Sequence, residues 1–154
     1  MNSRTDASSL ERGAWMKIEW LEQLSVGVAE IDQQHKRLFD KINAFLTACE
    51  EGREAEEVSR LFWFLDAYVA THFADEERLQ QRIGFPDYLK HRAQHQVFTA
   101  KVAELKERLD SEGPSKALVT SVGLLMTGWL IEHISFMDRA IGKFVKERQM
   151  SSAP

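Results

Sequence analysis

A chain of 154 residues that is 44% hydrophobic and 29% charged has the length and composition of one soluble globular domain. Its net charge of -4 argues against a general nucleic-acid-binding protein, because such proteins carry a basic surface. The single cysteine, Cys49, excludes an intrachain disulfide and favours a reducing compartment.

The sequence carries no recognisable targeting segment. Met1 to Ala14 is mostly polar and lacks an apolar h-region, so we predict no secretory signal, and either Met1 or Met16 is a plausible natural start. The longest apolar stretch, around Gly123 to Leu130, is too short to cross a bilayer. We therefore predict a cytoplasmic protein without membrane insertion.

Glycine and proline divide the chain into four long segments of helical periodicity. The predicted helices run from Val28 to Glu50, Glu54 to Arg82, Asp87 to Ser111 and Pro114 to Gln149. Pro114 suits the first turn of the fourth helix, where its missing N–H costs no hydrogen bond. Long helices with short connections predict an all-α, up-down-up-down antiparallel four-helix bundle.

The two ends of the chain are predicted to lie outside this bundle. Residues 1–25 form an irregular N-terminal arm, in which Trp15, Trp20 and Leu24 are available to pack on the helices. Residues 26–149 form the four-helix domain, and residues 150–154 form a frayed tail.

Every histidine of the chain falls on an apolar helical stripe, and each of the four helices contributes at least one. The five are His35, His72, His91, His95 and His133. A buried imidazole is costly unless its nitrogens find partners. One core histidine is ordinarily a packed residue, but five that converge predict a shared metal site. His91 and His95, four residues apart, lie on one face and can bind one metal ion.

Two carboxylates accompany these histidines. Glu76 follows His72 by four residues and continues its apolar stripe, whereas the adjacent Asp75 and Glu77 are predicted to be solvated surface charges. Asp138 follows His133 by five residues, which places the two about 140° apart on an ideal helix and puts Asp138 at the edge of the apolar face, so geometry alone leaves open whether it is a ligand.

Asp138 can reach the site in two ways. It can extend sideways from the edge of a regular helix, or a π-type turn can bring it onto the face of His133. We favour the sideways reach, because the stripe from Trp129 to Phe144 is compatible with regular winding.

Five imidazoles and two carboxylates are too many ligands for one metal ion and suit two ions that share bridging carboxylates. Nitrogen and oxygen ligands fit iron, while zinc, copper and manganese stay open on ligand type alone. No cysteine lies near the histidines, which disfavours a thiolate zinc site or an iron–sulfur cluster. The Glu-x-x-His pairs of ferritin-like proteins are also missing from the sequence.

At this point the sequence resembles the hemerythrin family, specifically its bacterial members. The resemblance covers about Trp20 to Phe144, and its motifs are specific in combination. The matching segments are Val26-Gly27-Val28, Ile31-Asp32-Gln33-Gln34-His35, His72-Phe73-Ala74-Asp75-Glu76-Glu77, Pro86, His91, His95, Phe98, Trp129-Leu130-Ile131-Glu132-His133-Ile134 and Asp138.

The resemblance implies two iron ions with a bridging oxo or hydroxo group. The implied ligands are His91, His95 and His133 for one iron, His35 and His72 for the other, and Glu76 and Asp138 as bridging carboxylates. The iron with two histidines would keep an open position for oxygen.

Helix spacing gives three candidates for the wall of an oxygen pocket, namely Leu38, Phe73 and Trp129, with plain core packing as the alternative for each. The polar neighbours of the ligands are predicted to be capping or surface groups in preference to groups that orient imidazoles. These neighbours are Asp32, Gln34 and Glu132.

The predicted function is reversible binding of molecular oxygen for carriage, storage or delivery. An enzyme is disfavoured because no histidine is spare for proton delivery. The alternatives are a di-iron enzyme acting on peroxide or nitric oxide, or an oxygen sensor that works through a separate protein partner, which the sequence does not identify. A purely structural bundle would leave five buried histidines unexplained.

Overall fold

The computed structural model describes residues 17–152, and these form a bundle of four helices. The helices are α1 (Ala29–Glu50), α2 (Glu54–Ile83), α3 (Tyr88–Glu112) and α4 (Lys116–Ser151). Each helix begins and ends within two residues of its predicted bounds, and no strand occurs in the described range. The predicted all-α bundle is therefore confirmed.

Local sequence explains where the helices stop and start. Gly84 ends α2 with a φ of 68°, a left-handed conformation that glycine adopts without steric cost, and the Phe85 N–H then returns to the Gln80 carbonyl at 2.9 Å. Ser115 caps α4, since its Oγ accepts from the Leu118 N–H at 3.1 Å. Pro114 thus precedes the cap, and our placement of it in the first helical turn was wrong.

α4 contains two π-helical turns, Leu125–Leu130 and Ile134–Asp138. The Arg139 N–H donates to the Ile134 carbonyl, which is an i→i−5 bond. Our preference for regular winding was therefore wrong. Each π turn contains one residue more than a regular turn. The positions that face the core after it are therefore shifted by one residue. This shift leaves Phe136 71% exposed although it follows the buried His133 by three residues.

The segment before α1 packs on the bundle. Trp20 contacts Phe39 edge-on, with ring centroids 6.0 Å apart, and Leu24 is buried. Asn43 anchors the backbone of Ile18 by accepting from its N–H at 2.9 Å and donating to its carbonyl at 2.8 Å. Trp15 lies outside the described residues, so the packing predicted for it stays a prediction, as does the division into arm, domain and tail.

α4 is long and apolar enough by composition to cross a membrane, with a mean hydropathy of 1.4 over its best 18-residue window, so our prediction that the apolar stretch around Gly123 to Leu130 is too short was wrong. Half of that window is buried inside the bundle, where the helix packs against α2 and α3. A core helix of a soluble protein meets the same criterion, so its composition is explained by this packing.

We predict that Gly142→Ala destabilises the fold. A Cβ at this position of α4 would overlap the Ser25 carbonyl oxygen and lie 2.9 Å from the Val26 Cα, both of which are backbone atoms. The expected loss is about 1–3 kcal/mol in the free energy of unfolding, measured by urea denaturation. Gly128→Ala is the matched control, because a Cβ there meets no atom within 4 Å. Equal stability of the two variants would contradict this packing account.

Candidate metal centre

The histidine cluster lies between two apolar regions of the bundle. Along α2, Glu76 separates Phe73 of the larger apolar cluster from Leu79 of the smaller one. Along α4, Asp138 likewise separates Ile134 from Ile141. The site is therefore a polar layer closed above and below by hydrocarbon.

The structure brings all seven predicted ligand residues into this layer, and each is buried. Asp138 approaches three imidazoles: its Oδ1 lies 3.0 Å from His91 Nε2 and 3.1 Å from His133 Nε2, and its Oδ2 lies 3.1 Å from His35 Nε2. The π turn in α4 accounts for this approach, because it turns Asp138 onto the same face as His133.

Glu76 occupies the other side of the layer. Its Oε2 lies 3.1 Å from His95 Nε2 and 3.4 Å from His91 Nε2, and its Oε1 lies 3.9 Å from His35 Nε2. Both carboxylates thus stand between histidines that come from different helices.

The donor atoms form two overlapping groups, within each of which they lie no more than 4.8 Å apart. One group joins three histidines to both carboxylates, and the other joins the remaining two histidines to the same carboxylates. The groups are Glu76, His91, His95, His133 and Asp138, and His35, His72, Glu76 and Asp138. This arrangement can hold two metal ions side by side with the carboxylates shared between them.

The donors also fit metal ions in having no other hydrogen-bond partner. The Nε2 atoms of His35, His91, His95 and His133 and all four carboxylate oxygens are buried without a hydrogen bond to any described residue. Buried polar atoms of this kind are rare in folded proteins unless something binds them.

Burial and charge set the proton affinities of the metal-free cluster. Burial lowers the pKa of His91, but the Asp138 and Glu76 carboxylates outweigh it and raise that pKa to about 9. The pKa of His35 is raised in the same way, as Asp138 outweighs burial. Burial alone dominates at His72 and lowers its pKa to about 4. The two carboxylates therefore favour the protonated form of His91 at neutral pH when no metal is bound.

We predict that metal binding releases protons at neutral pH. A metal ion needs a neutral imidazole, so it must displace the proton that His91 holds below about pH 9. Iron(II) affinity is therefore expected to rise with pH from 6.5 to about 9 and then level off. Calorimetric titration in buffers of different ionisation enthalpy measures the protons released. An affinity that does not change across this pH range would contradict the prediction.

A polar side chain orients His72 through its ring nitrogen Nδ1. Gln34 Nε2 donates to Asp75 Oδ2 at 2.7 Å, which turns Gln34 Oε1 toward His72 Nδ1, also at 2.7 Å. His72 Nδ1 therefore carries the hydrogen, and its Nε2 is free to bind a metal ion. Our prediction of Gln34 as a capping or surface group was wrong, and so was the prediction of Asp75 as a purely solvated charge.

Glu77 orients a second histidine, His95, from a position that the sequence assigned to solvent. Its Oε1 accepts from His95 Nδ1 at 2.9 Å, and Glu77 is partly buried. Asp32 accepts from the Val26 N–H at 2.9 Å and so ties the segment before α1 to the first turn of the helix, and Glu132 is exposed. Gln34 and Glu77 are the supporting residues that sequence reasoning missed. The only sign of this role in the sequence is that Gln34 adjoins His35 and Glu77 adjoins Glu76. Asp75 adjoins Glu76 in the same way, so adjacency alone does not identify the supporting residues.

Two of the three candidate wall residues stack on histidines of the cluster, and the third, Leu38, follows His35 by one turn of α1. Leu38 and Phe73 are buried, and Phe73 stacks on His95 with a centroid distance of 3.8 Å and an interplanar angle of 3°. Trp129 is partly buried and stacks on His133 at 5.0 Å. Trp129 and His133 also line a surface groove of about 270 Å³, so this edge of the layer comes nearest to solvent. Trp129 thus covers the side with three histidines, whereas Phe73 contacts both groups, since its ring centroid also lies 5.8 Å from that of His72.

Comparison with known proteins agrees with this geometry. The family model for the hemerythrin HHE cation-binding domain matches residues 26–145. The chain belongs to the hemerythrin family.

Several curated relatives carry the name bacteriohemerythrin. The protein from Stenotrophomonas maltophilia is 32% identical over 128 residues, covering 82% of this chain and 80% of the relative. That from Pseudomonas aeruginosa is 30% identical, with 75% and 72% covered. That from Methylococcus capsulatus is 28% identical, with 78% and 89% covered. The resemblance drawn from the motifs is thereby confirmed at the level of the family.

Proposed function

We propose that this hemerythrin-family protein binds molecular oxygen reversibly at a non-haem di-iron centre. The observation that carries the proposal is the division of seven buried donors into a group with three histidines and a group with two, both of which share the same carboxylates. A metal ion in the second group has one protein ligand fewer and therefore keeps a position for an exogenous molecule.

The proposed ligands are those that the family resemblance implies. His91, His95 and His133 would hold one iron, His35 and His72 would hold the other, and Glu76 and Asp138 would be shared between them together with an oxo or hydroxo group. Imidazole and carboxylate donors suit iron, and no thiolate belongs to either group. When bound there, a ferrous pair would supply the two-electron redox chemistry that reversible oxygen binding needs.

The protein's own residues keep this chemistry reversible by excluding water. The site lies between two apolar clusters, and Leu38 and Phe73 are at most 6% exposed. Hydrogen bonds to oxygen are stronger in such a low-dielectric pocket than in water. Gln34 and Glu77 hold the His72 and His95 rings in fixed orientations, so the ligands need little rearrangement.

Oxygen carriage, storage or delivery is proposed over enzymatic turnover. All five histidines lie in the two donor groups, which leaves none to deliver protons to a bound substrate. We further propose a cytoplasmic location without membrane insertion, which the single cysteine and the packing of α4 inside the bundle support.

Oxygen titration of the reduced, iron-loaded protein tests the proposal. We expect new absorption bands on admitting oxygen and their complete loss when oxygen is removed under argon, over repeated cycles. Steady consumption of oxygen, peroxide or nitric oxide with added reductant would favour the enzyme instead. Bands that do not reverse would contradict reversible binding.

A further inference from the structure

Gln80 is a buried polar residue that the proposed centre does not yet use. Its side chain is 0% exposed, and neither the amide oxygen nor the amide nitrogen has a hydrogen-bond partner among residues 17–152. The described core at this end of the bundle is hydrocarbon: Val26, Ile31, Leu79, Phe85 and Ile141. Burying an unpartnered amide costs free energy, so an apolar side chain would suit this position better if packing were its only role.

Helix geometry directs this amide toward the metal layer. Gln80 follows Glu76 by four residues in α2, which winds regularly from Glu54 to Ile83. Helical side chains lean toward the N-terminus and cover the preceding turn, so Gln80 extends over the turn that holds Glu76. Phe73 lies about one turn before Glu76 and Gln80 lies one turn after it, so the two side chains flank Glu76 along α2.

The Glu76 carboxylate can accept a hydrogen bond from the Gln80 amide. Both of its carboxylate oxygens are buried and receive no hydrogen bond from a described residue. A carboxylate that bridges two metal ions uses one lone pair on each oxygen and keeps another on each for a hydrogen bond. The Gln80 Nε2–H₂ group is the neutral amide donor nearest to it along α2, one turn away.

We propose that Gln80 is a positioning residue for the metal centre. Its amide donates a hydrogen bond to the Glu76 carboxylate when metal ions are bound, directly or through one buried water molecule, and so fixes the orientation of the bridge. This inference rests on the proposed function in one respect, that Glu76 is a metal ligand. Removing the amide should therefore leave the metal-free protein at least as stable as the parent, but it should weaken metal binding.

The test compares the parent protein with Gln80→Met, which keeps the volume and removes the amide, and with Leu79→Met as a matched control on the adjacent buried position. We expect metal-free Gln80→Met to melt at or above the temperature of the metal-free parent. We also expect its iron(II) affinity, titrated without oxygen, to fall by about 10-fold or more. Leu79→Met should bind iron(II) about as tightly as the parent.

The outcomes separate this proposal from the proposed function. Parent-like iron(II) binding by Gln80→Met, or an equal loss in Leu79→Met, would overturn the role of Gln80 and leave the metal centre standing. A parent protein that binds no iron(II) would overturn both.

A measurement on the parent protein covers the case in which Gln80→Met does not fold. The side-chain amide protons of Gln80 are followed by NMR as zinc, a diamagnetic probe, is added. Protons that shift and become protected from exchange with solvent support the hydrogen bond. Protons that do not respond to zinc would overturn it.

Discussion

Metal loading is expected to raise the melting temperature of this protein by roughly 8–16 °C. The metal-free fold buries five imidazoles and two carboxylates whose donor atoms largely lack partners, and metal ions bind them only in the native state. Free metal at about 1,000 times the dissociation constant stabilises the native state by about 4 kcal/mol. For a chain of 154 residues, each kcal/mol corresponds to about 2–4 °C.

Thermal melting of metal-free and iron-loaded protein measures this shift, and a chelator should reverse it. Glu132→Gln is the control variant, because Glu132 is exposed and belongs to neither donor group. It should keep the full shift. Equal melting temperatures for the metal-free and loaded parent would show that the buried cluster does not couple metal binding to folding.

Phe73→Ala is expected to have the largest effect of any pocket substitution. The change removes a ring that stacks on His95 at 3.8 Å and contacts Phe98 at 5.8 Å, which costs about 3–5 kcal/mol of stability. It also opens the apolar cover of the metal layer to water while leaving every proposed ligand in place. The oxygenated form should therefore decay to the oxidised form faster, by a larger factor than iron affinity falls.

Optical measurement of this decay at constant temperature tests whether Phe73 protects the oxygenated form. Leu38→Ala should act in the same direction, since Leu38 is also buried and follows His35 by one turn of α1. Phe62→Ala is the matched control, because it truncates a buried phenylalanine of α2 well away from the ligands. If Phe62→Ala speeds the decay as much as Phe73→Ala does, general loosening of the fold is responsible and the pocket wall has no special role.

The fold was predictable because helical periodicity and chain breaks are strong signals here. Gly84 and Gly113 interrupt long apolar stripes, and each helix boundary follows from those interruptions to within two residues. The convergence of all five histidines was predictable for the same reason, since each occupies an inward position of its stripe. Their role as ligands stays a prediction.

The winding of α4 was not predictable from its stripe. The helix has a wide apolar face, so a shift of one position after Ile134 moves one apolar residue outward and another inward with little change in pattern. The π turn moves Phe136 outward in this way and turns Asp138 onto the face of His133. Only the requirement that Asp138 and His133 reach the same site distinguishes the π turn from regular winding.

The supporting polar residues were hidden for a different reason. Gln34 and Glu77 lie on helix flanks, where most polar side chains are solvated, and their hydrogen bonds to His72 and His95 depend on how two helices meet. Gln80 continues the inward face of Glu76, yet a single glutamine in an apolar stripe is a weak signal until its complete burial is known.

The number of iron ions per chain tests the central claim most directly. Protein reconstituted with iron(II) in the absence of oxygen, freed of excess metal and analysed for iron and protein, should contain about two iron ions per chain. That value follows from two donor groups that share Glu76 and Asp138. One iron ion per chain, or none, would contradict the di-iron centre and with it the proposed mode of oxygen binding.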